Sequence, residues 1–379
     1  MSPPTVAVVH AYSRANSGDG LLVDLTLERL ARAGVPADSC TVVALDPASF
    51  ADTARTAAVG TPGRAADLSA LVAAGRGLAL VAGARRPALA RSAAARAVAG
   101  ADLCVAVGGG YLRTGTRVNS VGTALNHLPQ LLAVARGGRP SVYLPQSIGP
   151  LAGPVGRRVA RALAGVGSVH VRDDRSRAEL AGLANVTRTP DLAVLDLAER
   201  WAAGAAPVTA AGDGPTLLIG RALPDAPAAG ARLRALAERL GEVAWAVQAE
   251  GSAAKSDRTF YQGLGVPVAG RTGELLRRGG WGAVVSVRLH GALEALLAGY
   301  PAVHLGYERK SWGAYQDLGL AGHVHSARAF DPGVVADQVA ALRADPGPFW
   351  AALGAEAEPL RERSEALTAD LAAAVERAP

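Results

Sequence analysis

The sequence predicts an α/β protein that contains two doubly wound, mainly parallel β-sheets. Short valine-rich runs alternate with longer segments rich in alanine and leucine, and the spacing leaves room for crossover helices. The chain has 379 residues, which is long for a single core and suits two domains. The alternation stops once, within residues 196–215, in a Gly/Pro-punctuated stretch typical of a linker. We therefore expect Rossmann-like domains at residues 1–200 and 201–379, with ligand sites facing one another across a cleft.

Six apolar runs are the predicted strands of the N-terminal domain. They are TVAVVHAY at 5–12, CTVVAL at 40–45, LALVAG at 78–83, LCVAVGGG at 103–110, SVYLPQS at 141–147 and SVHVRDD at 168–174. Residues 10–20 are polar and contain glycine, which predicts a loop after the first strand. Residues 21–34 then repeat leucine at helical spacing and end at Gly34, which predicts a helix and its stop.

The alternation restarts at residue 216 and predicts the second domain. Its predicted strands are TLLIGRAL at 216–223, VAWAVQAE at 243–250, VPVAG at 266–270, AVVSV at 283–287 and PAVHLGY at 301–307. Helices are predicted at 231–241 and 291–299. The C-terminal tail predicts one or two further helices, with a break at Pro359.

Composition limits the function classes. Half of the residues are hydrophobic, but no run of 18 purely apolar residues predicts a membrane span. The N-terminal residues lack the basic region and cleavage site of a signal peptide, so we expect a cytoplasmic protein. Cys40 and Cys104 each lie beside β-branched residues, which favours buried reduced thiols over a disulfide or a zinc site.

The net charge of +6 favours anionic ligands. Basic residues are spread along the chain and aromatic residues make up 4% of it, which argues against nucleic acid as a partner. The serine-hydrolase elbow G-x-S-x-G and the zinc motif H-E-x-x-H are both absent from the sequence. The sequence therefore excludes those two hydrolase classes.

The predicted loop after the first strand carries Asn16, Gly18 and Asp19. Glycine lets a backbone approach a ligand closely, and free amides at a helix start attract anions, so a phosphate-binding role is one interpretation. An acidic residue at a helix start also stabilises the helix by itself. The two interpretations are about equally supported by these residues.

Three further strand ends carry glycine or polar residues. Gly109 and Gly110 follow the fourth predicted strand, where bare amides could contact a ligand or simply form a tight turn. Gln146 and Ser147 end the fifth strand, either as ligand contacts or as a buried polar pair that satisfies loop amides. Arg172 ends the sixth, where the alternative to a ligand contact is a surface ion pair with Asp173 or Asp174.

The segment after the strand predicted at 283–287 is the most informative. Arg288 and His290 are two residues apart, so strand periodicity places their side chains on one side, just before a helix. A guanidinium, an imidazole and a helix N-terminus would then converge on one anion. A histidine that only caps the helix is the alternative. Lys310 follows downstream in a chain that otherwise uses arginine almost throughout.

Taken in order, several of these motifs resemble the polysaccharide pyruvyl transferase family over residues 5 to about 322. The motifs are NSGDG, VGGGYL, LPQSIGPL, VRDDRSRAELAGL, PDLAVL and VSVRLHGALEALLAGYPAVHLGYERK. The resemblance implies a two-domain architecture similar to GT-B glycosyltransferases, with the acceptor on the N-terminal domain, residues 1–200, and phosphoenolpyruvate on the C-terminal domain, residues 201–379. It also implies transfer of the pyruvyl group of phosphoenolpyruvate onto two hydroxyls of a saccharide, which leaves a cyclic ketal and phosphate.

The resemblance also implies roles for individual residues. Arg288 and Arg172 match positions for donor binding, and His290 and Arg288 match catalytic positions. Our hypothesis is that His290 is the general acid that protonates the donor methylene carbon, and that Asp19 orients or deprotonates a sugar hydroxyl. The family often has a second acid after that aspartate, where this chain has Gly20. No cofactor is expected.

Other functions remain open at this stage. A glycosyltransferase that uses a nucleotide sugar would have the same architecture, and a non-catalytic sugar- or phosphate-binding component of a cell-wall assembly complex belongs to another class. The acceptor could be a cell-wall or exopolysaccharide unit or a lipid-linked saccharide. A lipid-linked acceptor would bring the protein to the inner face of the membrane, where scattered arginines favour peripheral contact. The sequence does not predict the oligomeric state.

Overall fold

The computed structural model of the chain describes residues 3–58, 81, 92–204, 214–223, 226–250 and 256–379, without the side chains of residues 309 and 310. The described residues divide into two compact units. The first unit contains Met1–Arg14, Asp19–Leu192 and Glu365–Pro379, and the second contains Ala15–Gly18 and Ala193–Ser364. The units are therefore not two continuous halves of the chain, because both the loop after the first strand and the C-terminus change unit.

The first unit is built on a seven-stranded parallel sheet. Its order is β3-β2-β1-β4-β5-β6-β7, in which the chain starts in the middle and winds outward in both directions. The strands are β1 Val6–Ala11, β2 Cys40–Ala44, β3 Arg55–Ala58, β4 Leu103–Ala106, β5 Ser141–Gln146, β6 Ser168–Val171 and β7 Val186–Arg188. All six residues of β1 and of β5 are buried, as expected for strands covered on both faces.

Helices connect these strands. They are α1 Ser17–Arg32, α2 Ala93–Gly100, α3 Arg117–Gly122, α4 Leu128–Arg136, α5 Gly153–Leu163 and α6 Asp174–Glu179. A π-helical segment, Thr123–His127, lies between α3 and α4. Helix α1 buries Leu22, Leu25 and Leu30, and the left-handed Gly34 follows its end, as the sequence predicts.

The predicted loop at residues 10–20 is partly wrong, because α1 begins at Ser17. Gly18 and Asp19 therefore lie in the first turn of a helix. The four glycine and polar positions obscured the helix start, since these residue types have lower helix propensity than the leucines that follow.

The second unit is built on a six-stranded parallel sheet of the same topology. Its order is β10-β9-β8-β11-β12-β13. The strands are β8 Thr216–Ile219, β9 Val243–Val247, β10 Val268–Arg271, β11 Ala283–Ser286, β12 Ala302–Gly306 and β13 Val324–Ser326. Together the two sheets confirm the predicted α/β class with two doubly wound, Rossmann-like sheets.

Helices also connect the strands of the second unit. They are α8 Ala228–Leu240, α9 Asp257–Leu264, α10 Thr272–Arg278, α11 Leu289–Leu297 and α12 Arg309–Asp317. Helix α7 Leu192–Ala202 precedes β8, and α13 Pro332–Ala344 and α14 Gly347–Glu376 follow β13. Residues 365–376 of α14 belong to the first unit. The predicted break at Pro359 is wrong, because α14 continues through the proline for 30 residues. Packing of Leu353, Leu360, Leu367 and Leu371, all buried, offsets the one backbone hydrogen bond that the proline removes.

Three observed strands are absent from the sequence prediction. They are β3, β7 and β13, each of only three or four residues, and none has an uninterrupted buried pattern. The strand predicted at 78–83 lies outside the described residues except for Val81, which is helical.

Cys40 and Cys104 are buried free thiols, and burial raises their pKa values to about 11 and about 12. Among the described helices, none is both long and apolar enough to span a bilayer.

Candidate functional site

Both sheets have a switch point where consecutive connections leave in opposite directions. In the first sheet it lies between β1 and β4, and in the second between β8 and β11. Doubly wound sheets bind ligands at the carboxyl ends of the strands beside such points. The residues predicted from the sequence lie close to the strand ends of the two sheets.

In the first unit, Gly109, Gly110, Gln146, Ser147 and Arg172 form one group, which we call the Arg172 cluster. The Ser147 amide donates to the Gly109 carbonyl at 2.8 Å, and Gly109 also forms a β-bridge with Gln146. These contacts extend the pairing of β4 and β5 beyond the regular strands. Gly109 has a φ of +152°, a conformation that favours glycine.

The guanidinium of Arg172 is buried and only partly satisfied. Its Nη1 donates to the Asp191 carboxylate, and its Nε donates to Ser147 Oγ at 3.1 Å. Nη2 is buried without a hydrogen-bond partner. A Cβ at Gly110 would stand 3.7 Å from that atom, so the glycine leaves the approach to Nη2 unobstructed by a side chain.

The structure corrects the alternative interpretation of Arg172. An exposed ion pair with Asp173 or Asp174 is wrong, because Arg172 is 3% exposed and pairs with the equally buried Asp191. Asp173 instead caps α6 by accepting from the Ser176 amide, and Asp174 pairs with Arg188. The aspartates beside Arg172 in sequence are thus used elsewhere.

The Gln146 side chain adds further polar atoms to the Arg172 cluster. It is fully buried, and neither its Nε2 nor its Oε1 has a partner in ordinary hydrogen-bond geometry. The Gln146 amide does interact with the Tyr111 hydroxyl, at a geometry short of a regular hydrogen bond. Buried polar groups in folded proteins are nearly always satisfied, so the open guanidinium nitrogen of Arg172 beside this amide indicates a place for a ligand. One cationic donor and one amide suit a carboxylate or a phosphate.

In the second unit, Arg288 is held by a buried carboxylate. Its Nε donates to Asp257 Oδ2 at 3.0 Å, and its Nη2 donates to Asp257 Oδ1. Asp257 Oδ2 also accepts from the backbone amides of Gln248 and Ala249 at 3.0 and 2.8 Å. The pair therefore joins the ends of β9 and β11 to the start of α9. We call these residues the Arg288 network.

His290 does not lie beside Arg288 on a strand. The strand ends at Ser286, Arg288 occupies the N-cap position of α11, and His290 lies in the first turn of that helix. The same-side prediction from strand periodicity is therefore wrong, because the backbone turns helical between the two residues. The helix start that was predicted beside them is present, two residues earlier than expected.

The segment Ala15–Gly18 packs on this part of the second unit. Asn16 forms a β-bridge with Ala249, and the Ser17 amide donates to the Gln248 carbonyl at 3.1 Å. A Cβ at Gly18 would lie only 2.6 Å from His290 Cβ. Gly18 thus permits close packing against His290, which is a structural reason for glycine at this position.

Glu294 lies one helical turn after His290 and joins the Arg288 network. Its Oε1 accepts from Ser17 Oγ at 2.8 Å and from Gln248 Nε2 at 3.4 Å. Burial raises the pKa of Glu294 to about 7, although the hydrogen bond from Ser17 opposes the shift. A fraction of this side chain is therefore protonated near neutral pH.

The two remaining predicted residues lie at helix starts. Asp19 is a half-buried residue in the first turn of α1 and belongs to the first unit. Its charge raises the pKa of the Tyr12 hydroxyl, second to the effect of burial. Lys310 is the second residue of α12, and its side chain lies outside the described part of the chain.

Comparison with known families identifies the family of this chain. Residues 16–231, more than half of the chain, match polysaccharide pyruvyl transferase. The chain belongs to the polysaccharide pyruvyl transferase family. The matched residues include the whole Arg172 cluster, whereas Arg288, His290 and Lys310 lie beyond them. This membership supports a transferase, as the motifs predict.

Solved structures with similar folds are GT-B glycosyltransferases and epimerases of low sequence identity. The Anabaena protein Alr3699/HepE, solved with UDP-glucose, is 12% identical with a TM-score of 0.56, covering 98% of this chain and 99% of that one. UDP-GlcNAc 2-epimerase from Neisseria meningitidis, bound to UDP-GlcNAc, is 10% identical with a TM-score of 0.51, covering 95% and 98%. Among curated proteins, none matches this sequence. These likenesses confirm the GT-B-like fold class of this family member.

Sequence reasoning did not identify the partners of the two arginines. Asp191 lies in the motif PDLAVL, and its position before a helix was the available signal. Asp257 follows a stretch without a recognisable pattern, so nothing in the sequence indicated it. Within the described residues, no group of three or more His, Cys, Asp or Glu side chains is arranged to hold a metal ion.

Proposed function

We propose that this family member transfers the pyruvyl group of phosphoenolpyruvate onto two hydroxyls of a saccharide. The products are a cyclic ketal and phosphate. The observation that carries the proposal is the Arg172 cluster, in which a buried guanidinium nitrogen lacks a partner and faces Gly110. Phosphoenolpyruvate has a carboxylate and a phosphate, and either group fits these donors.

The proposed reaction has four steps. His290 protonates the methylene carbon of the donor, which develops positive charge at the central carbon. One saccharide hydroxyl attacks that carbon while Asp19 orients it or accepts its proton. The carbon–oxygen bond to phosphate then breaks, and the second hydroxyl attacks to close the ketal. A well-placed general acid contributes on the order of 10² to 10⁴ in rate.

The remaining residues are assigned to binding. Arg172 and Arg288 bind the anionic groups of the donor, and Lys310, Asn16, Gly18, Gly109, Gly110, Gln146 and Ser147 are the proposed further substrate contacts. Arg288 uses two of its nitrogens on Asp257, so its contribution to donor binding comes from the rest of the guanidinium; the side chain as a whole is 11% exposed. The acceptor class that fits the family is a cell-wall or exopolysaccharide unit, free or lipid-linked.

Thermal stabilisation by phosphoenolpyruvate tests the donor assignment. We expect phosphoenolpyruvate to raise the melting temperature and uridine diphosphate, at matched concentration, to leave it unchanged. Arg288→Ala should weaken donor binding by about 2–5 kcal/mol, since a bound anion loses a cationic partner. Stabilisation by uridine diphosphate alone would favour a nucleotide-sugar transferase instead.

A second experiment tests the proposed general acid. His290→Ala should reduce turnover of phosphoenolpyruvate by on the order of 10²-fold or more while donor binding survives. Phosphate release measures turnover, and the melting temperature with phosphoenolpyruvate measures binding. Normal turnover in this variant would remove His290 from the reaction.

A further inference from the structure

A mostly buried aromatic cluster lies at the switch point of the first sheet and adjoins the Arg172 cluster through Tyr111 and Gln146. His10 in β1 and His127 at the end of the π-helical segment approach one another, with 3.3 Å between their Nδ1 atoms. His10 Nε2 lies 2.9 Å from the Tyr143 hydroxyl, and His127 Nε2 lies 3.0 Å from the Tyr12 hydroxyl. Tyr111 stacks on both imidazoles. The four polar groups form one chain, Tyr143–His10–His127–Tyr12.

Unusual backbone geometry occurs at both histidines. His10 is the one described residue other than glycine with a positive φ, at +70°. His127 closes a π-helical segment, a rare conformation that is frequent at functional sites. Each irregularity costs conformational free energy, and such costs concentrate at functional positions. Two of them meeting at one pair of side chains indicate that the pair has a role besides filling the core.

The charge state of the two histidines determines which hydrogen-bond directions are available between Tyr143, His10, His127 and Tyr12. Burial, and then the charge of Arg113, lowers the pKa of His127 to about 3, and burial lowers the pKa of His10 well below its ordinary value. Both rings are therefore neutral at pH 7, and each carries one N–H. Only one of those protons lies between the two Nδ1 atoms.

Two proton arrangements are compatible with the three hydrogen bonds that link these four side chains. If His10 Nδ1 donates to His127, then Tyr143 donates to His10 and His127 Nε2 donates to Tyr12, so the Tyr12 hydroxyl proton points away from the cluster. If His127 Nδ1 donates to His10, every direction reverses, and the Tyr12 oxygen presents lone pairs instead. Tyr12 can therefore act as a donor or an acceptor toward a ligand with no change in net charge.

Tyr12 is positioned to meet such a ligand. It is 37% exposed and immediately follows β1, at the switch point where doubly wound sheets bind ligands. The charges of Asp19 and Arg113 both act on its hydroxyl, which places an acid and a base near it. An exposed aromatic ring with a hydroxyl, flanked by opposite charges, suits the apolar faces and hydroxyls of a sugar.

We propose that Tyr12, oriented by His127 and His10, binds a hydroxyl of the acceptor saccharide. The inference deepens the proposed function and rests on it for the identity of the acceptor as a saccharide. A Tyr12 hydroxyl that can either donate or accept a hydrogen bond suits this ligand, because a sugar hydroxyl both donates and accepts. Tyr12 is the binding residue, and His127 and His10 are positioning residues behind it.

Saturation-transfer NMR with simple glycosides tests the proposal. The probes are methyl β-D-galactoside, methyl β-D-glucoside and methyl α-D-mannoside at millimolar concentration. We expect the wild-type protein to transfer saturation to at least one of them, and Tyr12→Ala to reduce this transfer on the order of fivefold or more. Tyr12→Phe should give an intermediate loss, and Val334→Ala, another exposed position, should give none. Equal transfer in wild type and Tyr12→Ala, or none in the wild type, would overturn the proposal.

Variants of His127 test its positioning role separately. His127→Gln keeps a polar group that can reach the Tyr12 hydroxyl, whereas His127→Leu removes it. We expect the leucine variant to fall to the level of Tyr12→Phe and the glutamine variant to recover part of the transfer, which a purely structural role would not produce. If the leucine variant fails to fold, the Tyr12 variants alone decide.

A parallel melting experiment separates this inference from the proposed function. Phosphoenolpyruvate should stabilise Tyr12→Ala as much as the wild type, because the Arg172 cluster remains intact. Stabilisation by phosphoenolpyruvate together with glycoside contact that is independent of Tyr12 would overturn the inference alone. Glycoside contact that depends on Tyr12, without any effect of phosphoenolpyruvate, would support a saccharide site while the donor assignment fails.

Discussion

Each unit has an arginine just after a strand and a buried aspartate that pairs with it, yet the two pairs differ in what remains available. Arg172 gives one nitrogen to Asp191 and one to Ser147, and its Nη2 stays buried without a partner. Arg288 gives two nitrogens to Asp257, which also accepts two backbone amides. The first pair leaves binding capacity open, whereas the second joins structural elements. An arginine at a strand end therefore indicates its role only when its partners are known.

The largest expected effect comes from removing the aspartate of the second pair. Asp257→Ala leaves Arg288 without its carboxylate and two amides without an acceptor, so we expect a loss of about 3–5 kcal/mol in the free energy of unfolding. Denaturant unfolding measures it. Asp331→Ala is the control, because it removes an exposed helix cap that accepts from Gly333 and Val334 and should cost about 1 kcal/mol. Equal losses would show that Asp257 is not a structural clamp.

A pH-dependent effect should follow in the same network. The folded pKa of Glu294 is about 7, above its ordinary value of 4.5, so the folded state binds more protons between these pH values. Stability should therefore fall as pH rises from 4.5 to 7, by at most about 3 kcal/mol. The melting temperature at several pH values measures this slope, and Glu294→Gln should reduce it. A slope of equal size in the glutamine variant would assign it to other groups.

A smaller loss is expected where Gly18 packs on His290. An alanine methyl group would lie 2.6 Å from His290 Cβ, so Gly18→Ala should cost about 1–2 kcal/mol through overpacking. Gly263→Ala is the matched control, since it lies in a helix with nothing within 4 Å and should be neutral or stabilising. Urea unfolding of both variants compares them. Equal stability would mean that the segment at Gly18 moves aside without cost.

The sequence predicted the α/β architecture well because the central strands are continuous apolar runs. The short strands β3, β7 and β13 were not predicted, since three or four residues carry little periodic signal. The start of α1 was obscured by glycine and polar residues. Pro359 led to the wrong prediction of a helix break, because tertiary packing of buried leucines stabilises α14 on both sides of the proline.

The sequence indicated candidate site residues, because polar and charged residue types stand at the ends of predicted strands. It did not indicate the residues that pair with them. Arg172 was identified, yet Asp191 lies 19 residues further along the chain, and only the folded sheet brings the two together. His10 and Tyr12 lie in the first predicted strand, and an apolar run of this kind gives no signal that two of its residues belong to a polar cluster. Their partner His127 is more than 110 residues away, in a π-helical segment for which sequence has no signal.

The affinity for phosphoenolpyruvate of two matched lysine variants tests the comparison most directly. Arg172→Lys keeps a charge beside Asp191, but its donors all lie on one nitrogen, whereas the planar guanidinium presents separate nitrogens toward Asp191, Ser147 and a ligand. Isothermal titration should show a loss on the order of tenfold to a hundredfold in Arg172→Lys and a smaller loss in Arg288→Lys. Unchanged affinity in Arg172→Lys, or a larger loss in Arg288→Lys, would contradict the assignment of the open donor to the Arg172 cluster.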